Sequence, residues 1–162
     1  MKQDQRSDSW FTTMVDLYRL PPDIPGYEES RSISDPVRRV QFLEGALKSN
    51  LSHPRFEPYI QLHEFEALLF SDPRSFSIAF PDEPEAIANL VRIRETAFTP
   101  EHIDVGQETA PSRRICNLFP QYAKTVHGPI IAQKIGLSRI RQECAHFNAW
   151  LEAILSFAQS RL

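Results

Sequence analysis

Thirteen prolines against five glycines set the first limit on this 162-residue chain. Each proline fixes φ and removes a backbone donor, so it ends a helix or interrupts a strand ladder. They recur from Pro21 to Pro129, which leaves short elements joined by stiff, extended connections and excludes a long helical bundle. The length suits one domain with a real core. With 41% hydrophobic and 24% charged residues the composition is globular. No apolar run approaches the ~20 residues needed to cross a bilayer. The polar, mixed-charge start MKQDQRSDSW is no signal peptide, and residues 1–9 read as a frayed tail. Cys116 and Cys144 lack CxxC spacing and read as reduced thiols of a cytoplasmic protein.

Between the prolines, Trp10 to Val15 (WFTTMV) has the aromatic and β-branched content of a strand, with Asp16 at its end. A loop with three prolines follows. Asp35-Pro36 is a helix start, with Val37, Val40, Leu43 and Leu47 at helical spacing to about Lys48. Tyr59 to Leu62 is a second strand, and Glu64 to Phe70 opens a helix with Phe65, Leu68 and Leu69 apolar. A strand–helix–strand unit favours parallel strands and a right-handed crossover. Asp16 and the cluster His63, Glu64, Glu66 would then share the C-terminal edge of the sheet, where α/β folds bind ligands.

Residues 81–162 read as mostly helical. Asp82 and Glu85 resemble a capping box before Ala86, Ile87, Leu90 and Val91. Thr99-Pro100-Glu101 opens a short helix, and 104–110 is loop. Pro111-Ser112 opens another, stopped by Pro120. Gly128-Pro129 starts a helix that Gly136 caps, and Ser138 starts the next. Phe147, Trp150, Leu151, Ile154, Leu155 and Ala158 form the apolar stripe of a closing helix. The expectation is one α/β domain: a small, mostly parallel sheet flanked by helices over 10–80, with a helical C-terminal part over 81–162. Two strands are few for such a sheet.

Residues 1–110 carry a net −8 and residues 111–162 a net +5, as two solvated faces or as a metal site beside a phosphate-binding surface. Mg²⁺ takes carboxylate oxygens, and Asp16, Glu64 and Glu66 are the candidates. On one helix, Glu64 and Glu66 would point to different sides. Glu66 is then preferred, because it shares a face with His63 at i, i+3. Glu64 would turn to solvent or to the helix N-terminus. Position 67 is Ala, so this is no zinc-protease helix. Arg113 and Arg114, in a first helical turn, can meet an anion, and Lys124 and His127 beside Gly128-Pro129 can do likewise.

Taken together, TTMVDLYRLP, PGYE, PYIQLHEFEALLFSDP, TAPSRRI, PQYAKTVHGPIIAQKIGL and CAHFNAWLE resemble an uncharacterised bacterial family, the domain of unknown function 4276. The likeness runs from about Phe11 to Glu152. It implies a Toprim-like fold and a setting in bacterial conflict or defence, beside an ATPase. The function it implies is a Mg²⁺- or Mn²⁺-dependent nuclease or phosphodiesterase. Catalytic roles would fall on Asp16, His63, Glu66 and Lys124, phosphate contacts on Arg113, Arg114 and His127, and metal ligation on Asp16, Glu64 and Glu66. Members usually begin with a strand ending in valine-glutamate-glycine, and nothing like it precedes Trp10. The resemblance therefore implies an N-terminally short member, weak in Mg²⁺ binding and in cleavage by itself. The alternative is a non-catalytic partner or regulatory subunit of the ATPase.

Overall fold

A computed structural model describes residues 9–103 and 109–159. The chain divides into two compact units, residues 1–62 with 149–162, and residues 63–148.

The first unit is built on a parallel ribbon. Its strands are β1 (Phe11–Thr12), β2 (Val15–Asp16), β3 (Phe56–Glu57) and β4 (Ile60–Gln61). Helices α1 (Tyr27–Ser30) and α2 (Pro36–Leu51) lie between β2 and β3 in sequence. Phe11 pairs with Phe56, Thr12 with Glu57, Val15 with Ile60 and Asp16 with Gln61, in one unbroken register. The gap between the two ladders falls at Pro58, which has no N–H to give. Thr13 bridges it: its hydroxyl donates to the Tyr59 carbonyl at 3.1 Å and accepts the Tyr59 N–H at 3.0 Å. Ile60 and Leu62 pack with Val40 and Leu43 of α2 in a fully buried cluster. Tyr59 instead stacks on Trp150, ring centroids 4.6 Å apart, and the Trp150 indole donates to the Thr12 hydroxyl at 2.8 Å.

Helix α2 begins as its sequence demands, with Pro36 in its first turn and the Asp35 carboxylate accepting the Arg38 N–H at 2.7 Å. It ends at Ser52, which takes the left-handed conformation at φ 44°. At Gly26, φ is +79°, and a Cβ would stand 2.9 Å from the Ala46 Cβ. Only glycine both adopts that conformation and lets the start of α1 lie this close to α2.

The second unit is helical. It holds α3 (Glu66–Leu69), a 3₁₀ stretch Pro73–Ile78, α4 (Pro84–Glu95), a 3₁₀ turn Pro100–His102, α5 (Pro111–Leu118), α6 (Lys124–Ile135) and α7 (Leu137–Glu143). The first residues of α8 (Ala145–Gln159) also belong to it. Leu68, Leu69, Phe70, Phe76, Leu90, Ile115, Phe119 and Ile131 are buried in its core. Phe119 stacks between Phe76 and Phe80, at centroid distances of 5.4 and 4.7 Å. Glu101 is 2% exposed, and its carboxylate accepts the N–H groups of His146 and Phe147 in the first turn of α8. A buried carboxylate is tolerable there because the helix N-terminus supplies donors and positive potential.

The α/β class expected from sequence is therefore present, with a parallel ribbon flanked by helices and a helical later half. Several local readings change. Trp10–Val15 forms two strand pieces, and the second strand gains β3, because Pro58 divides the ladder. The cap-like Asp82 and Glu85 do not cap α4, whose N-cap is Glu83 without a side-chain bond. Thr99-Pro100-Glu101 opens only a 3₁₀ turn. Helix α6 starts at Lys124, so Gly128-Pro129 lies inside it and not at its start. On α8, Phe147 is buried and Trp150, Leu151 and Ile154 are half-buried, but Leu155 is 44% exposed. Most of the expected tail (1–9) and loop (104–110) lies outside the described residues, as does the Ala158 side chain.

Candidate functional site

Helix α3 is four residues long, and all four side chains are buried, Glu66 among them at 3% exposed. It packs against α5 and α6 within the second unit. Two of its neighbours carry the site. The first turn of α6 carries Lys124, and the first turn of α5 carries the Ser112 N–H, which has no partner within its own helix.

Lys124 joins the two glutamates. Its ammonium lies 3.0 Å from Glu64 Oε1 and 3.5 Å from Glu66 Oε1. The second oxygen of Glu64 accepts the Ser112 N–H at 3.0 Å. Glu64 precedes α3 and is not helical, so the divergence of side chains along a helix does not separate it from Glu66. The sequence reading had Glu64 and Glu66 pointing to different sides of one helix and so preferred Glu66; here both reach the same ammonium. The N-terminus of α5 does take an anion, and that anion is the Glu64 carboxylate. Arg113 is exposed, and the Arg114 guanidinium donates to the Thr109 carbonyl at 2.6 Å.

The two carboxyl groups answer differently to one cation. Burial alone would raise the Glu64 pKa, but the hydrogen bonds from Ser112 and Lys124 outweigh it and bring the value below the ordinary one. Burial dominates at Glu66 and holds its pKa above the ordinary value despite Lys124. For Lys124 the cost of burial is smaller than the pull of Glu64 and Glu66, so its pKa rises.

Tyr122 completes the cluster. It is 7% exposed, and its hydroxyl is buried close to the Glu66 carboxylate. Burial, then the nearby Glu66 charge, pushes its pKa up, so the phenol stays protonated. Gly128 makes its seat: a Cβ there would stand 3.1 Å from the Tyr122 hydroxyl and 3.5 Å from the Phe65 ring. His127 turns its Nδ1 to accept the Ala123 N–H at 2.9 Å, which leaves Nε2 to carry the proton of the neutral ring. Its ring meets Phe80 edge-on at 4.9 Å.

Of the residues chosen from sequence, Glu64, Glu66 and Lys124 are thus brought together in direct contact. His63 is 6% exposed at the start of the same unit. Asp16 belongs to the first unit, half-buried at the end of β2 opposite Gln61. Sequence reasoning passed over Tyr122 and named Ser112 and Gly128 only as parts of helix starts that could meet an anion. The signals were slight: a proline-led helix start at Pro111-Ser112, and a tyrosine two positions before Lys124.

Among the described residues no group of three or more His, Cys, Asp or Glu side chains could hold a metal ion. No helix among them is long and apolar enough to cross a membrane. Comparison with curated proteins and with solved structures gave no match. Comparison with protein families matched residues 1–155 to Domain of unknown function (DUF4276). That span takes in every residue of the cluster, and the chain belongs to the DUF4276 family.

Proposed function

We propose that this chain is a Mg²⁺- or Mn²⁺-dependent phosphodiesterase or nuclease of Toprim type, working beside an ATPase in a bacterial conflict or defence system. The observation that carries the reading is the single ammonium shared by Glu64 and Glu66, a cation already bound between two hard oxygen donors. Mg²⁺ is commonly held by one or two carboxylates, with water and substrate phosphate completing the shell, and this pair fits that need. Glu64 and Glu66 would hold the ion. When bound, it polarises a phosphoryl oxygen and lowers the pKa of its water.

The chain's own residues supply the rest. Glu64, kept ionised by Ser112 and Lys124, is the ready ligand. Glu66 loses hydration by burial and gains most from a cation. Lys124, 49% exposed in its side chain, would be the residue to meet a substrate phosphate. Arg113, exposed on α5, adds positive charge for a nucleic-acid backbone. The test is cleavage of single- and double-stranded DNA and RNA with Mg²⁺ or Mn²⁺. Activity that falls at least tenfold in Glu66→Gln and Lys124→Met supports the reading. Metal-dependent activity unchanged by both removes it.

The missing third ligand among the described residues favours a second reading, a non-catalytic partner of the ATPase. Wild-type protein that binds no Mn²⁺ and cleaves nothing, yet changes the turnover of its ATPase, would support that reading instead.

A further inference from the structure

We propose that His127 is a positioning residue for Lys124: its neutral imidazole closes the first turn of α6, and protonation of the ring opens that turn and takes Lys124 from the two glutamates. The inference rests on the reading of Lys124 as the cation of this site and adds a pH-dependent support to it.

Helix α6 begins at an alanine. Ala123 is its N-cap and makes no side-chain bond to the first-turn amides. His127 supplies the closure instead. Its Nδ1 accepts the Ala123 N–H at 2.9 Å, while the His127 and Val126 N–H groups donate to the Ala123 carbonyl at 2.8 and 3.0 Å. This is the return bond that a Glu or Gln side chain makes in a capping box. Lys124 is the first residue inside the closed turn. From there its ammonium reaches both Glu64 and Glu66.

The bond exists in one protonation state only. An imidazolium donates from both nitrogens, so Nδ1 would face the Ala123 N–H donor to donor. The positive end of the helix dipole lies at the same place. The ring's neighbours are aromatic, Phe80 edge-on at 4.9 Å and Tyr122 at 6.0 Å. Helix α6 packs on α3, on the 3₁₀ stretch Pro73–Ile78 and on α7. The charged groups of those elements are engaged elsewhere or exposed. Glu66 of α3 pairs with Lys124, and Arg74 of the 3₁₀ stretch is exposed. On α7, Arg139 pairs with Glu143 at 3.1 Å and Arg141 donates to Asn148 at 2.7 Å. Lys124 and Lys134 of α6 itself add only positive charge. A protonated ring therefore loses its bond and gains no anion in exchange.

The experiment follows the full chain, His127→Gln and His127→Ala by NMR across the titration of the imidazole, without metal or substrate. One readout is the exchange protection of the Ala123 amide, taken against the unstructured rate at the same pH. The other is the set of Lys124 side-chain resonances. In the wild-type chain the protection should fall about tenfold or more as the ring gains its proton, the scale of a lost cap. The Lys124 resonances should move to those of a free lysine along the same curve. Glutamine offers an acceptor at every pH, so His127→Gln should hold both readouts steady over that range. His127→Ala should lack the protection throughout; should it fail to fold, the glutamine variant decides alone. Protection at Ala123 that ignores the imidazole titration overturns the proposal. So does an acid change at Lys124 that persists unaltered in His127→Gln, since protonation of the glutamates then accounts for it. Failure of the nuclease reading would appear separately, as wild-type protein that cleaves nothing at any pH while the Ala123 protection still follows the ring.

Discussion

Glu64 and Glu66 are two positions apart and meet opposite surroundings. Their stability effects should therefore run in opposite directions with pH. Glu64 has a lowered folded pKa, so its contribution is present above the ordinary carboxylate pKa and is lost as pH falls through the folded value. Glu66 has a raised folded pKa, so stability declines as pH rises from the ordinary value through the folded one. Urea melts across mildly acidic pH should show the two slopes. Glu64→Gln should flatten the acid-side loss, and Glu66→Gln should flatten the decline at higher pH. Identical profiles in both variants would mean that the two carboxylates share one environment. Lys124 adds a third slope. Its raised pKa means that its contribution is complete below the unfolded value and disappears as pH rises through the folded one.

At the scale of elements, the ribbon depends on a side chain standing in for backbone. Pro58 cannot donate, and the Thr13 hydroxyl supplies two bonds at that point. Thr13→Val keeps the shape and removes both, which should cost about 1–2 kcal/mol in denaturant melts. Trp150 is half-buried, stacked on Tyr59 and bonded to Thr12. Full burial would put Trp150→Ala at about 3–5 kcal/mol, and partial burial reduces that to roughly 2 kcal/mol. A cost below about 0.5 kcal/mol would show that α8 does not hold the ribbon. The strand–helix–strand order and the parallel pairing were legible from β-branched runs, a capped helix and short connections. The break at Pro58 was not, because periodicity says nothing about which ladder bond a proline removes. Helix α6 was misread for a related reason. A Gly-Pro pair usually marks a boundary, but here the helix begins one turn earlier, and its packing on α3 outweighs the lost N–H.

Across the whole molecule, family membership covers residues 1–155, and the chemistry concentrates in one place within it. The composition of that place was partly visible. Three ionisable residues between two apolar runs marked His63 to Glu66, and the basic later half marked Lys124. Their partnership was not visible, because 60 residues separate Glu64 from Lys124 and no local pattern records that contact. Tyr122 stayed hidden because a buried tyrosine is ordinary in a core, and only the nearness of its hydroxyl to the Glu66 carboxylate distinguishes it. We propose that Glu64 and Glu66 hold a divalent cation where Lys124 now stands. Titration calorimetry with Mn²⁺ tests it most directly, on wild-type protein, Glu66→Gln and Lys124→Met. One site is expected on the wild-type chain. It should be at least tenfold weaker in Glu66→Gln, a loss of about 1.4 kcal/mol or more, and tighter in Lys124→Met, where the competing ammonium is gone. Mn²⁺ binding of equal strength in all three proteins would contradict it.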